Sequence, residues 1–391
     1  MRLIPQPAAV RHAAAGRFPL GLTAFGAIAA AGVATRLLAY AWLGMAWGGL
    51  AEAMCHFDCG WYERIALAGY GADSEFGNLG SYPHWAFFPL YPLLLRGLSA
   101  ALPVPAQLGG IWLSCLCLAG FVMLGARYLQ QSRGAVRPLL WLAVVLAMPN
   151  THFMSAVYTE ALFALLSTGC LLALATRQTL LAATLAALAS ATRPTGIMLS
   201  LLVIGDRVRT AWQGRMARDR WALAEACLLP IAIAPLGLSV YILAQYLAVG
   251  DGLAFSHVQL DWGRVWRGPL VMLADGVRAW DWAHLAGPMA RASASYAAAW
   301  ALLGLAVAGR LAWRRRWGEA WFLAACVLLP AATGLDSLPR YVATNPVFLF
   351  AVYGALARLR WPVGAGLLLG GLAAAHAVML YAWMSGAGGV F

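Results

Sequence analysis

The sequence predicts an all-α polytopic membrane protein, and three observations carry that expectation. Of 391 residues, 11% are charged and 62% hydrophobic, whereas a soluble domain carries about 25% charge. Apolar runs of transmembrane length recur from end to end. The cations are all arginine, with no lysine, and most sit in short links between the runs, as the positive-inside rule requires. A net charge of +12 would suggest nucleic acid in a soluble chain. Here membrane orientation accounts for it, and no nucleic-acid partner is expected.

A crossing helix needs about 20 apolar residues. The runs lie near 18–42, 107–129, 137–149, 157–175, 222–248, 292–312, 318–333, 343–357 and 362–383. The stretch 180–204 has arginine on both flanks, Arg177 before it and Arg207, Arg209, Arg215, Arg218 and Arg220 after it. It must therefore turn back, and Arg193-Pro194 at its middle breaks a helix. Two short helices meeting near Arg193 are expected, giving about eleven transmembrane helices with the N-terminus inside and the C-terminus outside. The orientation follows from the cytoplasmic links, which hold Arg127, Arg133, Arg137, Arg310, Arg314 to Arg316, Arg358 and Arg360. Outer links hold most acids: Glu52, Asp58, Glu63, Asp73, Glu75, Asp251, Asp261, Asp275, Asp281 and Asp336. The basic start, Met1 to Arg17, precedes a long apolar run without a cleavage site and reads as a signal anchor. Arginine-only, alanine-rich usage points to a GC-rich bacterial genome, hence to a multi-pass protein of the bacterial cytoplasmic (inner) membrane.

Two long outer segments, 43–106 and 250–291, are rich in Trp, Tyr, His and Gly and suit a membrane interface. With no internal repeat or linker, 1–391 is read as a single transmembrane domain. Five of the cysteines lie in apolar runs as small core residues. Cys55 and Cys59, four apart in the first outer loop, are expected as free thiols. No HxxxH or DxD pair is present, so neither a metal site nor another cofactor is expected.

Polar groups concentrate in the first outer loop, where Asp58 sits among aromatic residues ahead of a short helix-like stretch. A positioned, partly desolvated carboxylate can take a proton from a hydroxyl nucleophile. The blocks Phe57-Asp58-Cys59-Gly60-Trp61-Tyr62, Ile65-Ala66, Gly69-Tyr70 and Ala86-Phe87-Phe88-Pro89-Leu90-Tyr91-Pro92 resemble the PIG-V family of GPI mannosyltransferases and its bacterial relatives. Asn150, Ser155, Tyr158-Thr159-Glu160-Ala161-Leu162-Phe163 and Arg193-Pro194-Thr195-Gly196 continue the resemblance, which is dense from 57 to 196 and thin beyond. The resemblance implies a GT-C glycosyltransferase fold. It also implies inverting transfer of a sugar, mannose in that family, from a polyprenyl-phosphate donor, with Asp58 as catalytic base. A glycolipid, a glycan or a protein would be the acceptor. Phe57 stands where many members have Trp.

By residue type and side, Arg340, Arg193, His84 and Arg64 are expected at the donor phosphate. Arg340 opens an outer helix whose dipole would add to the grip. Trp61, Tyr62, Tyr158, Glu160 and His257 are expected to line the substrate. Plainer roles compete: Asp58 as a helix N-cap, Glu63–Arg64 as a surface pair, and Phe87–Pro92 as a loop-to-membrane turn. Glu160 and Arg193 at membrane depth invite mutual neutralisation. From other classes, a lipid or sugar transporter or flippase places ionisable groups along a midplane path, whereas here the acids gather outside. A non-catalytic scaffold would leave the aromatic Asp58 loop without a purpose.

Overall fold

The computed structural model describes residues 21–70, 83–212, 220–279, 294–359 and 362–386. The expected signal anchor Met1–Arg17, and Asp73, Glu75, Arg215, Arg218, Asp281 and Arg360, lie outside them. Every regular element among the described residues is helical. In chain order the α-helices are α1 Leu22–Gly44, α2 Leu50–Ala53, α3 Cys59–Ala68, α4 Leu90–Ala101, α5 Ala106–Arg133 and α6 Pro138–Ala147. They continue as α7 Glu160–Ala175, α8 Thr179–Ser190, α9 Ile197–Trp212, α10 Arg220–Ile233, α11 Leu236–Val249 and α12 Ala254–His257. The last six are α13 Pro269–Arg278, α14 Ala294–Trp313, α15 Trp317–Ala331, α16 Leu338–Ala343, α17 Pro346–Leu356 and α18 Pro362–Met384.

Among the described residues, four helical stretches are long and apolar enough to cross a membrane: Thr23–Trp47, Ala106–Arg133, Ala294–Trp313 and Val363–Met384. A fifth forms if Cys227–Ile233 and Leu236–Val249, bent by 44° at their break, count as one span. Pro235 immediately before α11 accounts for the break, since proline cannot continue the hydrogen-bond ladder. The protein is thus a membrane-embedded helical bundle. The other expected runs form shorter helices, Pro138–Ala147, Thr179–Ser190 and Pro346–Leu356 among them. At 1.5 Å per residue these are about 15–18 Å long, half a hydrocarbon core of roughly 30 Å.

Burial explains how short helices persist. In α7 every residue except Leu165 and Leu172 is buried, and the helix packs between α5 and α8. Ser167, Thr168 and Gly169 let neighbouring backbones approach closely. By contrast α1 and α18 are peripheral, with Leu38, Trp42, Leu367, Leu368 and Tyr381 exposed. The expected reversal near Arg193 is present: α8 ends at Ser190, a 3-10 turn covers Pro194–Gly196, and α9 starts at Ile197. Arg193 itself is extended, with φ −156° and ψ 151°, as a residue before proline prefers.

Glycine makes this turn fit. A Cβ on Gly196 would run into the carbonyl of Ala189, backbone that has no rotamer to move away. Gly196→Ala is therefore expected to cost about 1–3 kcal/mol through overpacking. Thermal unfolding in detergent checks this: the midpoint should fall for Gly196→Ala. It should not fall for Gly366→Ala, where a Cβ meets nothing within 4 Å.

Candidate functional site

Four charged side chains from four distant segments meet where helices begin. Asp58 is the residue ahead of α3, but its side chain makes no capping bond. It turns to Arg340, whose Nη2 donates to Oδ2 at 2.8 Å. The same guanidinium lies with Nε 3.6 Å from Oε1 of Glu160. Arg193 pairs with that Glu160 oxygen from the opposite side and donates through Nε to Thr159 Oγ1 at 2.6 Å. The result is a chain Asp58–Arg340–Glu160–Arg193 with no net charge. Glu160 has no side-chain exposure and the arginines little, 11% for Arg340 and 12% for Arg193, while Asp58 keeps 29%. Asp58 is thus the end of the chain that meets the outside.

Glu160 opens α7, where the positive end of the helix dipole favours a carboxylate. Arg193 stands at the reversal between α8 and α9, so the extended backbone before Pro194 aims its side chain at the start of α7. Arg340 sits in α16, a helix of only six residues. Its dipole is correspondingly small, and the expected helix-terminus grip is replaced by side-chain pairing. Burial opposes the Arg340 charge, but Asp58, Tyr341 and Glu160 outweigh it and hold the guanidinium pKa well above its ordinary value. Burial likewise pushes the Tyr341 phenol up, yet Arg340 and Arg193 more than reverse that and draw its pKa down.

Aromatic rings frame the carboxylate. Tyr158 OH donates to the His56 carbonyl at 3.0 Å and accepts from the Asp58 backbone N–H at 3.1 Å. These two bonds bracket Phe57, which adopts φ 52°, a region costly for an aromatic residue. Arg340 lies over Tyr158 and Phe153, 5.1 and 5.3 Å from the ring centroids. Tyr62 packs edge-on against Phe87, Tyr91 and Tyr158. Trp61 stacks on Phe87 with centroids 5.6 Å apart and meets Trp262 edge-on.

Cys55 and Cys59 form a disulfide, contrary to the expected free thiols. The turn through Phe57 brings their Cα atoms to 5.2 Å, within bonding range. The bridge closes the loop that presents Asp58. The Phe87–Pro92 block acts as the expected turn: Tyr241 OH donates to the carbonyls of Trp85 and Phe87 at 2.7 and 3.1 Å, and Leu90 N–H to Ala191 O at 3.0 Å.

The other expected phosphate and substrate residues lie apart from the charge chain. His84 is beside Tyr70 and Trp85. Arg64 lies over the Trp61 ring at 5.8 Å, and Glu63 accepts instead from Gln107 Nε2 at 2.9 Å. His257 Nδ1 is 2.7 Å from Asp251 Oδ2, and that contact holds the exposed Asp251 carboxyl pKa below its usual value. One residue was missed. Arg264, from the second outer segment, donates to Gln259 Oε1 and to Ser337 Oγ, both at 3.2 Å, and Arg340 donates to that same Ser337 oxygen at 3.3 Å. Its place in a polar outer segment gave no sign of the meeting.

The asymmetry of burial predicts an asymmetry of cost. Glu160→Gln leaves two guanidiniums without their buried counter-charge and is expected to cost about 3–5 kcal/mol. Asp58→Asn removes a carboxylate that is partly exposed and leaves Arg340 its second counter-charge, Glu160, so it should cost less. Detergent-solubilised thermal unfolding of the two variants checks the order, and equal loss by both would contradict it. Comparison with protein-family models, curated proteins and solved structures returns no match for this chain.

Proposed function

We propose that the chain is an inverting glycosyltransferase that moves a sugar from a polyprenyl-phosphate donor to an acceptor hydroxyl at the outer membrane face. The observation that carries the reading is the Asp58–Arg340 pair, in which the only carboxylate oxygen of Asp58 with a hydrogen-bond partner among the described residues is Oδ2. Oδ1 is left for the acceptor. In the proposed step Oδ1 takes the hydroxyl proton as that oxygen attacks the anomeric carbon. The bond to the donor phosphate breaks on the opposite face, and the lipid phosphate departs with the electron pair. A guanidinium beside a carboxylate, framed by Tyr158, Phe153 and Tyr341, suits a polar sugar that must be oriented before reaction. Mannose is the sugar of the family that the motifs resemble, and it is the donor sugar proposed. Counting the short buried helices as protein-enclosed crossings keeps eleven passes, with the N-terminus in the cytoplasm and the GT-C arrangement.

The transporter reading is favoured by one observation, a buried polar line Arg36–Tyr40–His376 between helices. The same experiment separates the two. Purified full-length chain is given polyprenyl-phosphate mannose and mixed membrane lipids, and free polyprenyl phosphate is measured. Wild type should release it and Asp58→Asn should fall by roughly 10²–10⁴, the usual weight of a general base, with unfolding behaviour retained. Equal turnover by both would remove Asp58 as base. Sugar carried across a proteoliposome membrane without donor cleavage would favour transport.

A further inference from the structure

Arg36 is placed where a lone charge is costly. It lies in α1, about two turns or roughly 12 Å before the end of that helix at Gly44, and is 7% exposed. Its Nε donates to Tyr40 OH at 2.8 Å, and that hydroxyl is 2.7 Å from His376 Nε2. His376 Nδ1 is 2.9 Å from the Met148 carbonyl. A carbonyl only accepts, so Nδ1 carries the proton and Nε2 accepts from Tyr40. The line therefore runs Arg36 to Tyr40 to His376 to Met148, and every group after the guanidinium is neutral.

That line uses Nε alone. Nη1 and Nη2 of Arg36 are buried and have no hydrogen-bond partner among the described residues. Tyr40, Cys115, His152 and His376 all feel the Arg36 charge, and no carboxylate hydrogen-bonds to the guanidinium among the described residues. Arginine does not lose its proton in proteins, and an uncompensated cation at this depth is among the most unfavourable placements a membrane chain can adopt. The two Nη groups present the planar fork that matches two oxygens of one phosphate. Helices α1 and α18, which supply Arg36, Tyr40 and His376, are peripheral and expose apolar side chains such as Leu38, Trp42 and Leu367.

We infer that Arg36 anchors a phosphate site within the bilayer, entered sideways between α1 and α18, that holds the phosphate of a membrane lipid on Nη1 and Nη2. The site is separate from the Asp58 chain. Phe153 and Trp383, packed 4.8 Å apart, stand between them, with Arg340 over one face of Phe153 and His152 against Trp383. It does not depend on the transferase reading, because it needs only a phosphate and a bilayer.

The test uses the full chain, delipidated in detergent, as wild type, Arg36→Met and Arg36→Lys. Native mass spectrometry measures retained phosphatidylglycerol, and thermal unfolding is followed with phosphatidylglycerol, diacylglycerol or inorganic phosphate added. Wild type should retain at least tenfold more phosphatidylglycerol than Arg36→Met, and its midpoint should rise with phosphatidylglycerol but not with diacylglycerol. An equal rise with inorganic phosphate supports the oxyanion site and assigns its occupant to the water phase. Lipid retention by Arg36→Met equal to wild type, with unchanged or higher stability, overturns the site. Where Arg36→Met does not fold, Arg36→Lys decides: reduced retention supports the fork, and retention and lipid response equal to wild type overturn it.

Discussion

The buried carboxylate of Glu160 is the constraint on which the candidate site of this protein depends. It opens the most enclosed helix in the bundle and has no side-chain exposure, so it must be neutralised by protein. Two guanidiniums do this, and they come from residues 193 and 340. Satisfying Glu160 therefore fixes the reversal between α8 and α9 and the position of the six-residue α16. Once Arg340 is fixed by Glu160, its far side can reach Asp58. The disulfide and the Tyr158 bonds hold Asp58 where that reach succeeds. Remove Glu160 and the remaining three charges lose both their spacing and their balance.

The same logic explains why the site stands at interruptions. Helix interiors satisfy their own backbone and offer side chains in a repeating pattern. Helix starts and breaks point side chains and free N–H groups in directions a regular helix cannot. Asp58, Glu160 and Arg193 each occupy such a place. In a bilayer, irregular backbone survives only when protein encloses it, and α4, α5 and α11 provide that cover around the Phe87–Pro92 turn. A site with four ionisable groups can thus adjoin hydrocarbon without exposing any of the buried ones to it.

Much of this was legible in the residues themselves. Long apolar runs and arginine links announce a membrane bundle, and Arg193-Pro194 announces its break because proline has no alternative. Glu160 and Arg193 could be matched because each is anomalous alone and they are the obvious remedy for one another. What was not legible was partnership over distance. Asp58 and Arg340 are 282 residues apart, and residue type says only that each needs an opposite charge. Arg264 was hidden for the same reason, since its meeting with Arg340 runs through Ser337. Cys55 and Cys59 were misjudged because four residues of separation permit both helix and turn, and only the left-handed Phe57 decides. Arg36 was open to discovery from sequence: an arginine inside the first apolar run is an exception to the rule that places most of the others in short links.

Charge balance constrains how the proposed transfer would work. The four-membered chain is neutral before substrate binds, so Asp58 begins with one oxygen committed to Arg340. A lipid phosphate entering beside Arg340 adds negative charge and competes for the same guanidinium. Each degree to which Arg340 turns toward phosphate loosens its hold on Asp58 and frees Oδ2 from its hydrogen bond. Donor binding and base activation are then coupled through one side chain. Arg264, held on neutral Gln259 and Ser337, is the cation placed to share the added charge without abandoning a carboxylate. On this reading Ser337 is the hinge of the exchange: among the described residues it is the hydroxyl that both guanidiniums already touch, and it lets positive charge move toward the phosphate without moving helices.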